Sequence, residues 1–225
     1  MRLIGLCGRM GSGKTTLATL LTAKGYERYS FARELKEEIF TTLTKAGISI
    51  GRENLYGTQG QKEEQIFIPT GRLNPEWIMY RIPVTPAISG GWYISARNLM
   101  QWWGTEYRRK QDDNYWVHKL FSTLSELPGT AKVVIDDVRF ENEAKMISTC
   151  GGLLFRVIKP DAQDTLLHTH VSETSLDKYP VFGIIMNPHT GITNLTSAAS
   201  TIATFMEYPN DRRIEEEVSD IPNIQ

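Results

Sequence analysis

Several things are scarce in this 225-residue chain, and each scarcity removes a class of protein. There are two cysteines, Cys7 and Cys150. Two such separated thiols make neither a disulfide framework nor a tetrahedral zinc site, so both are expected as reduced core residues. No run nears the roughly 18 apolar residues of a membrane-spanning helix, and the first apolar run is short and followed by glycines and a lysine rather than a cleavage site. Lys plus Arg number 25 against 26 Asp plus Glu, a net charge of −1, so the molecule has no overall field for a polyanion. Internal repeats and low-complexity tracts are missing. What remains is an ordinary globular composition, 40% apolar and 23% charged, able to bury a core without staples. The expectation is a cytoplasmic protein of enzyme size, without membrane or nucleic-acid partners.

The pattern along the chain alternates strands and helices. "LIGLC" is a short unbroken apolar run that fits a strand buried on both faces. "KTTLATLLTAKG" places Leu17, Leu20 and Leu21 at helical spacing and stops at Gly25. "YERYSF" is expected as a second strand and "ARELKEEIFTTLTKAG" as a helix ended by Gly47. From Ile48 to Ser95, Gly, Pro, Asn and Gln accumulate without long periodicity, which predicts an insertion or lid. Helices are expected again in "ARNLMQWWGTEYRRK" and "NYWVHKLFSTLSEL". A buried strand follows at Lys132–Asp136, a helix in "ENEAKMISTCGG", strands at Leu153–Ile158 and Val181–Met186, and a last helix in "TNLTSAASTIATFMEY". The tail 209–225 is acidic and expected to be loose. The alternation predicts one α/β domain over 1–225, a parallel sheet of about five strands with right-handed crossovers, and an insertion at 48–95.

Between the first strand and first helix lies Gly8-Arg9-Met10-Gly11-Ser12-Gly13-Lys14-Thr15, an ungapped G-x-x-x-x-G-K-[ST] motif. Backbone N–H groups can close around phosphate oxygens only where side chains are absent, which Gly8, Gly11 and Gly13 provide. The helix start offers further N–H groups and the positive end of its dipole. Lys14 is placed to reach the β- and γ-phosphates, Thr15 to ligate Mg²⁺, and Ser12 and Thr16 complete the ATP-binding set. The motif specifies a nucleoside triphosphate, not what is done with it.

"VVIDDVRF" ends an apolar strand in two carboxylates. A phosphate-loop site needs one acid at the end of a neighbouring strand on the magnesium side. Asp136 is the first choice and Asp137 the alternative, the bland reading being a capping turn for both. Glu141 and Glu143, in the next helix's first turn, read as structural. Arg139, just past the sheet edge, is placed to face a phosphate. In "RNLMQWWGTEYRRKQDDNYWV", α-helical steps put Arg97, Gln101, Gly104, Thr105 and Arg108 on one face, with Leu99, Trp102, Trp103 and Tyr107 elsewhere. Guanidinium forks and an amide make that face a candidate pocket for a second phosphorylated molecule.

The loop, this block and "VVIDDVRFENEA" together resemble the bacteriophage-type deoxynucleoside monophosphate kinases. "SFARELKEE" looks like the start of that family's nucleoside-monophosphate region, and "HTHVSE" (His168–Glu173) like its segment near the lid. The resemblance implies the P-loop nucleoside-monophosphate-kinase fold, three layers with a lid or acceptor-binding insertion, and transfer of the ATP γ-phosphoryl to a dNMP. It also implies small-molecule nucleotides as partners and a homodimer as a family-level expectation. By residue, it puts Phe31, Lys36, Arg97, Gln101, Glu106 and Trp116 around the acceptor, Asp136 on the metal side with Thr15, and Lys14 at the transferring phosphoryl. One departure stands out. After Ile158 there is no arginine until Arg212, and Lys159, His170 and Lys178 are the candidate basic groups of that stretch. Arg139, Arg108 or Arg109 must then supply that charge, or the lid works differently; the catalytic set expected is Lys14, Arg97, Arg108, Asp136 and Arg139. Other readings stay open: a dephospho-coenzyme A- or phosphomevalonate-type kinase, a P-loop ATPase or switch, and a polynucleotide 5′-kinase.

Overall fold

The structure is a computed structural model that describes residues 1–72, 84–160, 175–188 and 192–208. The His168–Glu173 segment, part of the expected insertion (73–83) and the acidic tail lie outside the described residues. In chain order the elements begin with β1 (Arg2–Cys7), α1 (Lys14–Thr22), β2 (Glu27–Tyr29), α2 (Phe31–Lys45), α3 (Arg52–Tyr56) and α4 (Gln59–Glu63). Next come β3 (Gln65–Pro69), β4 (Thr85–Pro86), β5 (Gly91–Ser95), α5 (Ala96–Gln101), a π-helix (Trp102–Arg109) and α6 (Tyr115–Ser125). The chain closes with β6 (Lys132–Ile135), α7 (Glu141–Thr149), β7 (Leu153–Ile158), β8 (Gly183–Met186) and α8 (Thr193–Glu207). Two compact units emerge, one from Met1–Phe31 with Phe121–Gln225, the other from Ala32–Leu120.

The first unit is the α/β fold expected from the alternation. Its five strands run in the order β2-β6-β1-β7-β8, every neighbouring pair parallel. β1 lies at the centre because all its residues after Arg2 are buried, which a strand covered on both faces requires. Ile4 and Leu6 belong to a cluster with Leu17, Ala18 and Leu21 of α1 and Leu195, Ala199 and Ile202 of α8. Burying each large aliphatic side chain there contributes about 1.5–3 kcal/mol. The opposite face takes α7: a Cβ on Gly5 would come within 2.6 Å of Ile147 Cδ1, so only glycine lets that helix sit so close. Cys7 is buried, and burial pushes its thiol pKa up. Cys150, expected in the core, is exposed where α7 ends.

The second unit contains order that the composition of 48–95 did not predict. β3, β5 and β4 form an antiparallel sheet, with Ile66 opposite Ile94 and Phe67 opposite Tyr93. Ile66, Ile68 and Ile94 alternate inward and are buried. The Thr58 hydroxyl caps α4 and the Ser95 hydroxyl caps α5. Past α5 the helix does not continue as α but widens into eight residues of π-helix. Its Gly104 carbonyl accepts a hydrogen bond from Trp116 Nε1 at 3.0 Å, and a side-chain donor on a helix carbonyl is one place where the ladder's register relaxes.

Candidate active site

The phosphate loop joins β1 to α1, in the context its motif demands. Gly8, Gly11 and Gly13 all have positive φ (130°, 77° and 108°). Space is as restrictive as torsion: a Cβ on Gly8 would lie 2.3 Å from the Val157 carbonyl oxygen. Lys14 Nζ folds over the loop and donates to the carbonyls of Gly8 and Arg9. Asn187, just past β8, donates to the Ser12 carbonyl at 2.8 Å and braces the loop from outside. The Ser12 hydroxyl is buried with no hydrogen-bond partner among the described residues. A buried, unpaired hydroxyl in a glycine-rich loop is what a phosphate oxygen would satisfy. Beside the loop a cleft of about 290 Å³ runs along the end of β7, lined by Met10, Val157, Ile158 and Lys159 among others. Asp177 borders it and pairs with Arg9 at 3.3 Å.

The two aspartates after β6 divide the roles that sequence left open. The Thr15 hydroxyl donates to Asp136 Oδ2 at 3.3 Å, and Asp136 is only 4% exposed. Asp137 turns the other way, and its Oδ1 accepts the Phe31 N–H at the start of α2, 2.9 Å away. Asp137 thus makes the capping contact, while Asp136 stands beside the phosphate-loop hydroxyl of Thr15. Arg28, the middle residue of β2, places a guanidinium nitrogen 2.6 Å from the same Asp136 oxygen. Sequence reasoning missed this residue; it lies 108 positions from its partner in a strand of three residues. Arg139 is partly buried, and its backbone N–H donates to Glu143 Oε2 at 2.8 Å. Glu143, read as structural, is buried and also accepts the Phe140 N–H.

In the second unit the arginine block is rearranged by the π-helix. Gly104, expected beside Gln101 and Arg108, is buried, with Leu35 Cδ2 3.3 Å from where a Cβ would stand. Gln101, Thr105 and Glu106 remain exposed. Trp102 stacks on Tyr107 (5.2 Å, 13°) and meets Trp103 edge-on. Trp116, expected at the acceptor, is 3% exposed and bonded to the Gly104 carbonyl, so it shapes the block from beneath. Arg97 is held by Glu63 and Gln59 of α4. Lys36 lies over the Tyr56 ring at 4.7 Å, and Phe31 is buried. Arg109 has a side chain only 10% exposed and donates to the Asp113 carbonyl at 3.3 Å.

Arg108 differs from its neighbour. Its Nε donates to Glu38 Oε1 at 2.6 Å, and its Cζ lies 4.7 Å from the Tyr107 ring centre and 4.6 Å from that of Tyr115. Glu38 also accepts from Trp103 Nε1 at 2.9 Å, from Tyr115 Oη at 2.6 Å, and from Lys119 Nζ. Burial alone would raise the Glu38 pKa, but hydrogen bonds from Lys119, Tyr115, Trp103 and Arg108 outweigh it and bring it down to about 2. Burial, with the Glu38 bond, lifts Tyr115 to about 12. Glu38 was another omission. In "ELKEE" it reads as one of several solvated acids, and its partners lie 65 to 81 residues away.

Residues 84–198 match the family described as deoxynucleotide monophosphate kinase, a stretch that includes the arginine block and Asp136 but not the phosphate loop. A protein of Acanthamoeba polyphaga mimivirus named as a deoxynucleotide monophosphate kinase is 34% identical over 200 residues, spanning 83% of this chain and 88% of that protein. The deoxynucleoside-5′-monophosphate kinase of Escherichia phage T5 is 26% identical over 237 residues, spanning 86% and 92%.

Proposed function

The chain belongs to the deoxynucleotide monophosphate kinase family, and from that premise we propose how its residues divide the work. It transfers a phosphoryl group from ATP to a deoxynucleoside 5′-monophosphate, giving the diphosphate and ADP. The dephospho-coenzyme A-type kinase and the ATPase switch are not favoured, because both relatives carry a deoxynucleotide-kinase name over more than four fifths of this chain.

In the proposed mechanism the ATP phosphates lie in the loop of Gly8, Gly11, Ser12 and Gly13, with Lys14, Thr15 and Thr16 at the start of α1. The buried, unpartnered Ser12 hydroxyl is the observation that carries this reading. The cleft beside the loop is close to the size of a small-ligand site and suits the rest of the donor. An oxygen of the acceptor 5′-phosphate forms a bond to the γ-phosphorus while the bond from that phosphorus to its bridging oxygen breaks. The electron pair leaves on the ADP oxygen. The acceptor phosphate is largely dianionic near neutral pH, so no strong general base is required. The protein's share is positioning and charge neutralisation, by Lys14 at the transferring group and by Arg97, Arg108 and Arg139 on phosphate oxygens. Lys36, Gln101 and Glu106 are the acceptor-side polar groups; Phe31 and Trp116 support them from buried positions.

Mg²⁺ fits the residues present. The Thr15 hydroxyl and the Asp136 carboxylate converge to 3.3 Å, and no cluster of three or more His, Cys, Asp or Glu occurs among the described residues. One carboxylate and a hydroxyl, completed by phosphate and water, suit that ion. When bound it neutralises charge on the phosphate oxygens. No helix among the described residues is long and apolar enough to cross a membrane.

The deciding experiment is an acceptor panel. ADP release should be stimulated by one or more of dAMP, dCMP, dGMP and dTMP, and not by dephospho-coenzyme A or phosphomevalonate. ATP hydrolysis indifferent to every deoxynucleotide would refute the assignment.

A further inference from the structure

Glu38 has no place in the mechanism above, yet its carboxylate accepts hydrogen bonds from four side chains. Four side chains from two segments converge on its two oxygens: Trp103 and Arg108 of the π-helix on Oε1, Tyr115 and Lys119 of α6 on Oε2. The two cations differ from each other in what they commit. Lys119 commits its ammonium to Glu38 and also lies 5.8 Å from the Tyr115 and Trp116 rings. Arg108 commits only Nε. Its two terminal Nη groups have no hydrogen-bond partner among the described residues, and its side chain stays 23% exposed.

A guanidinium bonded through Nε and resting against two tyrosine rings has lost most of its rotamer freedom before any ligand arrives. The Nη pair is the half of the fork that binds phosphate bidentately. Ordering a long side chain in advance lowers the entropic cost of binding. We propose that Glu38 is a positioning residue of the acceptor site, holding Arg108 by Nε so that its free Nη pair grips the acceptor's 5′-phosphate. The inference rests on the reading of Arg108 as an acceptor-phosphate ligand. It adds that the aim of this arginine is set by a buried acid on α2 and by the wide turn of the π-helix, which delivers Trp103 and Arg108 to one carboxylate oxygen. A glutamine would keep the volume of Glu38 but present an N–H₂ group to donors and abolish the charge that retains Arg108.

The test is steady-state kinetics of E38Q, R108A and the double variant, with acceptor KM, ATP KM and kcat measured separately and thermal unfolding followed alongside. E38Q should raise the acceptor KM about tenfold or more, the scale of one charged hydrogen bond, with ATP KM and kcat within about threefold of the parent. In the R108A background, E38Q should add less than about twofold to the acceptor KM, because its effect travels through that arginine. An E38Q protein that melts lower but keeps the parent acceptor KM overturns the proposal. Full additivity in the double variant overturns it too. If R108A itself leaves the acceptor KM unchanged, the underlying reading of Arg108 fails instead. Should E38Q not fold, E38D keeps the charge while withdrawing the oxygens. It should show the same selective rise in acceptor KM, and a parent-like KM for a folded E38D is equally fatal.

Discussion

At the smallest scale the proposed chemistry rests on Lys14 and Asp136, and their neighbours provide the controls. Lys14 Nζ rests on two loop carbonyls, which a polyanion would outcompete, so the side chain is poised rather than buried. Lys14→Ala should lower kcat by about 10²–10³, the cost of removing one preorganised transition-state donor. A coupled ADP-release assay reads it. Asp136→Asn should cost most of the activity and some stability through its Arg28 pair, whereas Asp137→Ala should cost about 1 kcal/mol through the lost α2 cap and leave turnover near the parent's. Parallel assays of turnover and urea unfolding separate the pair, and a reversed pattern would exchange their roles. Arg97 is a different case. It is half-exposed and held by Glu63, and such a pair contributes at most about 1 kcal/mol to stability. Arg97→Ala should therefore melt like the parent while weakening acceptor use more than ATP use. Equal loss of both would remove Arg97 from the acceptor site.

At the scale of elements, what sequence could show depended on how local the cause was. β1, the loop and α1 are specified by neighbours within a few residues, and they form where the apolar run, the glycines and the leucine spacing place them. Sequence could name Asp136 and Asp137 as alternatives but not their different partners, because one-residue alternation at a strand end turns neighbouring side chains to opposite sides. The β3–β5–β4 sheet escaped because "QIFIP" and "GWYIS" are five residues each, end in or begin with Pro or Gly, and are joined by a long connection. The π-helix escaped for another reason. Its first residues have α-like spacing, and its Gly104 carbonyl is engaged by Trp116 from twelve residues away. That contact gives a prediction. Trp116→Phe keeps the ring but leaves a buried carbonyl unpaired, which should cost about 1–3 kcal/mol in thermal or urea unfolding. ATP KM should not move. A fully stable variant would mean that water or Gly104's own helix replaces the indole.

Across the whole molecule, Glu38 ties a local charge arrangement to the pH dependence of folding. An ordinary glutamate titrates near 4.5, and Glu38 in the folded chain titrates near 2. A depressed carboxyl pKa contributes stability that is fully present above the unfolded value and is lost as pH falls through the folded one. The folded chain should therefore weaken progressively from pH 4.5 toward pH 2 as the unfolded state takes up a proton that the folded state refuses. Glu37, lowered by its bonds to Arg52 and Tyr56, acts in the same direction from the surface. Glu34 acts in the opposite one, because burial raises its pKa and slightly favours the folded protein as pH drops through that range. The four converging hydrogen bonds make Glu38 the dominant member of the three. Urea midpoints measured from neutral pH down to pH 2 should fall most steeply between 4.5 and 2, and E38Q should flatten the curve over that interval while leaving its neutral limb level. A variant with the parent's slope would place the acid sensitivity in the exposed carboxylates and leave Glu38 without a measurable share of it.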